Sequence, residues 1–289
     1  MTVRYRAATA GDIEPALDLY TASLADMLRR NGITPPQSDR QELLAPYRHV
    51  HATGIFRVAE EDGELVAIAH AIVRGTTWFL SGYWARPLRQ RAGVGGPLLR
   101  EVMDEGRARG AEQFFTWSSI DLTAMAGYMR RGMLPGTQIL AFVGEPAEPP
   151  SVEDLETAPL TVEIARELDR DVLSVERDID QRFWSTEPGR SSRAVRHDGR
   201  AIGYYSVARG TIGPAAWSVP EYAQRVLSLA MRDARAQSGE VRLRAIGSDH
   251  EAIRFALGSG LRLVGYSHLL TTRAFGHLDR YIPSGPTLF

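Results

Sequence analysis

From Phe56 to Trp84 the chain reads "FRVAEEDGELVAIAHAIVRGTTWFLSGYW". Three runs rich in apolar, β-branched and aromatic positions are broken at Asp62-Gly63 and at Gly75. Such runs with turn residues between them predict three strands joined by tight hairpins. After Trp84 the period changes. In "PLLREVMDEGRARG" Leu98, Leu99, Val102 and Met103 share one helical face with charges opposite, Pro97 suits the first turn and Gly110 the stop.

The same order of signals returns downstream. "RAVRHDGRAIGYYSVARGTIGPAAW" repeats the hairpins, with Asp198-Gly199 and Gly210 as turns, and "IGSDHEAIRFALGSGL" matches "SSIDLTAMAGYMRRGM" as strand end, capping Asp, short helix and Gly stop. The chain is a tandem repeat. "VGEPAEPPSVEDLETAPL", rich in Pro and Glu, separates the copies. The expected domains are 1–143 and 161–289, with 144–160 as linker. The offset is 135 from Gly75 to Gly210 but 128 from Asp121 to Asp249 and from Gly132 to Gly260. The second copy therefore lacks residues present in the first between the Gly turn and the capping Asp. In that interval "PLRQRAGVGGPLLREV" faces only "SVPEYAQRVLSLA".

Composition narrows the class. With 289 residues, 44% hydrophobic and 24% charged, two soluble globular domains are expected. A net charge of -1 argues against non-specific nucleic-acid binding. All 34 basic residues are Arg, and Cys is absent, which excludes disulfides, thiol catalysis and cysteine-ligated metals. "MTVRYRAATAGD" has no apolar signal core and no apolar run approaches a membrane span, so a cytoplasmic protein is expected, with no membrane partner.

The stretch missing from the second copy carries the candidate chemistry. A strand, then "RPLRQRAGVGGPLL", then a helix, places Gly93, Gly95 and Gly96 at a helix start, where unpaired N–H groups and the positive dipole end favour an anion. Arg86, Arg89 and Arg91 add forked positive charge, so phosphate or pyrophosphate is the expected ligand. A tight strand–helix turn needing glycine for geometry alone gives the same spacing. Two phosphate motifs fail: a Walker A loop needs Lys, and Gly93-Val94-Gly95 is followed by Leu98 where the dinucleotide fingerprint has Gly.

Gln90-Arg91-Ala92-Gly93-Val94-Gly95 resembles the acyl-CoA-binding signature of the GNAT N-acyltransferases, [Q/R]-x-x-G-x-[G/A]. "VRYRAATAGDIEPALDLY" looks like that family's first strand and helix. Asp121, Ala124, Tyr128 and Gly132 resemble its second signature, with Met133 in place of Phe. The resemblance covers about residues 1 to 143. It implies an α/β (α+β) fold: two tandem GNAT-like domains, each a mixed, mostly antiparallel sheet flanked by helices.

The resemblance also assigns roles. The strand before the turn splays from its neighbour, so the backbone of Tyr83, Trp84 and Ala85 would take the pantetheine arm and stabilise the oxyanion as an amine attacks the thioester. Gln90, Arg91, Ala92, Gly93, Val94, Gly95 and Gly96 would hold the pyrophosphate. Tyr128 would donate a proton or hydrogen bond to the leaving thiolate. Asp121 joins the cofactor-binding set through its signature, although its position equally suits a helix cap. The co-substrate implied is acetyl-CoA, with no metal, and the acceptor a small or peptide amine. A non-catalytic CoA sensor or interaction module on the same scaffold is the alternative.

No general base stands out. His70 shares a strand face with Ile68 and Ile72 and is expected to be buried and hydrogen-bonded, and His49 and His51 border the acceptor side. The second copy lacks the glycine turn and has Ala256 in place of Tyr128. Its helix is expected to start at "SVPEY", with Ser218 as cap. It should not bind CoA in the family's manner, and should complete the first domain's wall or pack on it as a pseudo-dimer, in a monomer or a homodimer. The apolar segment "RYIPSGPTLF" is expected to dock on the fold.

Overall fold

The computed structural model describes residues 2–35 and 39–289. The chain divides into two compact units, Met1–Leu134 with Pro286–Leu288, and Pro135–Gly285 with Phe289.

The first unit runs β1 (Arg4–Ala7), α1 (Ile13–Arg30), α2 (Arg40–Thr53), β2 (Ile55–Glu61), β3 (Glu64–Arg74), β4 (Thr77–Ala85), α3 (Gly95–Ala108), β5 (Gln113–Ser118) and α4 (Leu122–Met129). β1 to β4 form an antiparallel meander, and β2 to β4 fall on the three runs that the turn residues separate. Asp62 and Gly63 both have positive φ, as a two-residue hairpin turn matching strand twist requires. β4 and β5 pair in parallel, linked by the α3 crossover. Alternation along β4 sorts side chains to two faces. Trp84 meets Tyr20 of α1 edge-on at 5.1 Å, and Tyr83 points to the start of α3. Leu98, Leu99, Val102 and Met103 are all buried, so the helical face read from the sequence is the one α3 packs inward. A Schellman close ends α3, with Ala111 N donating to Gly106 O and Gly110 N to Arg107 O.

In the second unit are β6 (Leu134–Gly144), β7 (Glu156–Pro159), α5 (Val162–Leu173), α6 (Asp178–Ser185), β8 (Arg190–His197), β9 (Arg200–Ala208), β10 (Thr211–Trp217), α7 (Ala223–Gln237), β11 (Val241–Ile246), α8 (His250–Gly258), β12 (Arg262–Thr271) and β13 (Tyr281–Ile282). The meander recurs in β7 to β10, and β10 and β11 pair in parallel. The fold is thus the expected tandem mixed α/β arrangement. The boundaries differ from the sequence division. β6, the last strand of the first sequence copy, pairs with β11 from Ile139↔Ile246 to Gly144↔Val241 and belongs to the second unit. The expected linker 144–160 ends in a strand, because β7 pairs with β8.

The repeat is visible in backbone bonds as well as in sequence. Met133 N donates to Tyr128 O in the first unit and Leu261 N to Ala256 O in the second, the same helix close at the same offset. Ser218, the expected cap of α7, does not cap it. A short 3-10 turn, Pro220–Tyr222, intervenes, and Ser218 N instead donates to Ile202 O. At the heart of the second unit, buried Arg177 forks onto Asp169 at 2.9 Å and also donates to Tyr204, Tyr281 and the main-chain oxygen of Phe289. A buried charge persists only when so completely partnered. No helix among the described residues is long and apolar enough to cross a membrane.

Asp249 caps α8 by accepting from Ala252 N at 2.9 Å, but its Oδ2 is buried without a partner. Burial, helped by the charges of Asp279 and Glu251, pushes its carboxyl up to about 8. The folded state therefore holds a proton that the unfolded chain releases near ~4. Stability from this group is full below that value and is lost as pH rises through about 8. Asp249→Asn keeps the accepting oxygen and cannot ionise. Thermal melts from pH 5 to 9 are expected to show the wild type losing ground to the variant as pH rises. Parallel curves would contradict the buried, protonated carboxyl.

Candidate active site

β4 keeps its antiparallel pairing with β3 as far as Ala85↔Ala67 but pairs with β5 only from Thr77 to Leu80. The register slips at Ser81, the extra residue of a bulge between His70↔Gly82 and Ala71↔Leu80. The Thr116 hydroxyl reaches Leu80 O at 3.3 Å and closes the paired part. Beyond it, Ser81 to Ala85 present an edge with no neighbouring strand among the described residues, and the turn and the start of α3 follow directly. Tyr83, Trp84 and Ala85 lie on this edge, as expected of the splayed strand. The Ala85 carbonyl is already taken, accepting from Ser23 Oγ at 2.9 Å and from Gln90 Nε2 at 3.3 Å.

In the turn two carbonyls are matched by side chains, while most of the amides are left open. Tyr5 Oη donates to Val94 O and Arg131 Nη2 to Gly96 O, each at 3.0 Å. Among the described residues, the amides of Arg91, Gly93, Val94, Gly95 and Gly96 have no partner, and the α3 N-terminus has no side-chain cap. That of Ala92 donates to Arg89 O at 3.3 Å, within the turn. Gly93 is required by its conformation, with φ of +81° and open space around the missing side chain. Gly95 is required by close approach, because a Cβ there would lie 2.1 Å from Tyr83 Oη.

The basic residues divide. Arg86 donates to Leu65 O at 2.6 Å and pairs with Glu64, and Arg89 pairs with Glu61. Both are committed to bracing the hairpin. Arg91 is exposed and, among the described residues, has no ion pair. Gln90 braces the turn: besides holding Ala85 O, it accepts from Arg30 Nη2 at 3.0 Å.

Tyr128 is buried beside the turn, its ring 6.0 Å from that of Tyr83. Its hydroxyl has no hydrogen-bond partner among the described residues. Burial, with the charges of Tyr83 and Asp121 adding, raises its pKa above the ordinary phenol value, so it is a donor at every working pH. Asp121 accepts from Thr123 N and Ala124 N, both at 2.9 Å. It is the cap of α4. His70 is buried as expected but not hydrogen-bonded. Neither ring nitrogen has a partner, Tyr47 and Phe56 cage the ring at 4.8 and 4.7 Å, and burial lowers its pKa to about 3. His51 Nε2 lies 3.2 Å from Ala8 O. No group of acidic and His side chains among the described residues is placed to hold a metal ion. Tyr5, Ser81 and Arg131 were not legible as site residues, since each acts across a long sequence separation.

The second unit shows what happens to the same edge without the turn. β10 pairs with β11 only at Thr211 and Ile212, and its register then slips as in β4. There the edge is filled: β13 pairs with it, Ala215↔Ile282 and Ala216↔Tyr281. The groove that stays open in the first unit is occupied in the second by the chain itself.

Residues 21–133 match the family model described as Acetyltransferase (GNAT) family. No curated protein matches the chain by sequence. Among solved structures, a Pyrococcus horikoshii protein classed as an acetyltransferase superposes with a TM-score of 0.80 at 16% identity, covering 99% of this chain and 96% of its own. A GCN5-related N-acetyltransferase from Sphaerobacter thermophilus gives 0.67 at 16% identity, covering 96% and 98%. A tandem GNAT protein from the clavulanic acid biosynthesis pathway gives 0.59 at 13%, covering 93% and 98%.

Gly95→Ala drives a methyl into Tyr83 and is expected to lower the melting temperature, since overpacking costs about 1–3 kcal/mol, and, if the turn takes the pyrophosphate expected of it, to weaken CoA binding at least tenfold. Adding Tyr83→Phe, which removes the nearest atom, should restore part of both. Calorimetry and melts on the single and double variants test this. An unrescued double variant would mean that Gly95 serves something other than the Tyr83 contact.

Residues 21–133 thus carry the match to the GNAT acetyltransferase family model, and the chain as a whole has the fold of a tandem GNAT structure.

Proposed function

We propose that the first unit is an N-acyltransferase that moves an acetyl group from acetyl-CoA to an amine, and that the second unit is not catalytic. The observation that carries this reading is the row of five unpaired amides, from Arg91 to Gly96, set at the end of a strand edge with no neighbour. A helix start leaves its own first amides unpaired, and here the unpaired run reaches back through Gly93 to Arg91. A pyrophosphate would satisfy them, with Arg91 adding a charge-assisted bond of about 1.5–3 kcal/mol. Acyl-CoA supplies an acyl group already activated as a thioester.

This chain's residues would then position and protonate. The free edge of β4 receives the pantetheine amides as a short added strand, and a backbone N–H on it faces the thioester carbonyl. Tyr128, held protonated by burial, donates to the sulfur as the thiolate leaves. A thiolate in the same dry surroundings is itself more basic than in water, which narrows the gap between donor and acceptor. His70 is sealed and neutral, so the base that frees the amine is not assigned to it. The acceptor is an amine, of a small molecule or a peptide.

Thiol release from acetyl-CoA, followed over a panel of small and peptide amines, tests the reaction. Tyr128→Phe is expected to lower kcat by about 10²–10⁴-fold. Its CoA affinity should move less than threefold and its melting temperature little, because only a hydroxyl without a protein partner is lost. Ala256→Tyr should create no second site, since β13 fills the corresponding edge. CoA binding without turnover of any amine would replace the transferase with a CoA sensor. Turnover surviving intact in Tyr128→Phe would make Tyr128 a packing residue.

A further inference from the structure

The inner end of the open β4 edge is closed by a segment from far along the chain. Ser81, the bulge residue and the first beyond the β5 pairing, donates from Oγ to Thr287 O at 2.5 Å. Pro286–Leu288 belong to the same compact unit as β4, and Leu288 is buried. The sequence separation is 206 residues, so this contact is tertiary structure that no local preference produces. The segment is held at both sides of the contact. Before it, Tyr281 and Ile282 lie in β13. After it, the main-chain oxygen of Phe289 accepts from Arg177 Nη1 at 2.9 Å and Tyr281 Oη at 2.7 Å, within the buried charged cluster of the second unit.

The edge has two ends with different chemistry. At Ala85 it meets the turn with its unpaired amides. At Ser81, about 13 Å away for four residues of extended chain, it meets Thr287 and the closed β4–β5 pairing. A ligand anchored by phosphate at the turn and laid along the edge brings its far end, the acyl group, toward Ser81. We infer that Pro286–Leu288, latched to the Ser81 hydroxyl, form the end wall of the acyl pocket and restrict the donor to the shortest acyl-CoAs. The inference rests on the acyltransferase reading and specifies its donor class.

The test measures affinity as well as activity. Calorimetry without any amine gives Kd for acetyl-, propionyl-, butyryl- and hexanoyl-CoA, and turnover is measured in parallel. The wild type is expected to bind acetyl-CoA at least tenfold more tightly than hexanoyl-CoA. Leu288→Ala, which shortens the wall, should cut that ratio at least fivefold while CoA itself binds as before, and Ser81→Ala, which removes the latch, should cut the ratio at least fivefold. Melts show that the variants compared are folded, and the two substitutions act on different sides of the contact, so one remains informative if the other unfolds. A wild type indifferent to chain length overturns the inference, as does an unchanged ratio in the folded variants, while acetyl transfer itself stands. Failure of every acyl-CoA to bind would instead overturn the acyltransferase reading, and the wall with it.

Discussion

The site depends on one event in the sheet: β4 lets go of β5 after Leu80 while keeping β3 as far as Ala85. Backbone polar groups in a sheet are normally paired, and an interior edge left open is a cost. The bulge at Ser81 makes the release possible, because one extra residue bends the strand and ends the register. The second unit contains the same release after Ile212 and resolves it in the ordinary way, by pairing the edge with β13. Two copies of one fold therefore carry the same defect. One is closed by β13, and the other stays open beyond Leu80.

The turn that follows β4 extends the same logic. Val94 and Gly96 carbonyls are matched by Tyr5 and Arg131, while five amides of the turn go unmatched among the described residues. Gly93 permits the reversal that aligns those amides, and Gly95 lets Tyr83 lie against the helix start. Tyr83 in turn borders Tyr128, so the glycine turn and the proposed acid share one packed aromatic contact.

Much of this was readable in the chain because it rests on local rules. Hairpin turns at Asp62-Gly63 and Asp198-Gly199, the buried face of α3, the Asp121 cap and the glycine turn all follow from periodicity or from conformations few residues adopt. The repeat offset located the one insertion that matters. Long-range partners were not readable. Nothing near Ser81 marks Thr287 as its partner, and nothing in "LPGTQILAFVG" indicates that this strand pairs with β11 instead of finishing the first unit. Local sequence also misjudged commitment. Arg86 and Arg89 look identical to Arg91 until Glu64 and Glu61 fold beside them, and His70 follows the core pattern without revealing that its nitrogens go unpaired.

The central claim is that unpaired amides of the first unit, and none of the second, receive CoA. Backbone hydrogen–deuterium exchange with and without saturating CoA reads those groups directly. The account predicts slowed exchange at Arg91, Gly93, Val94, Gly95 and Gly96 and along residues 81–85, with residues 215–223 unchanged. Protection confined to the second unit, or exchange at 91–96 unaltered when CoA is bound, would contradict it.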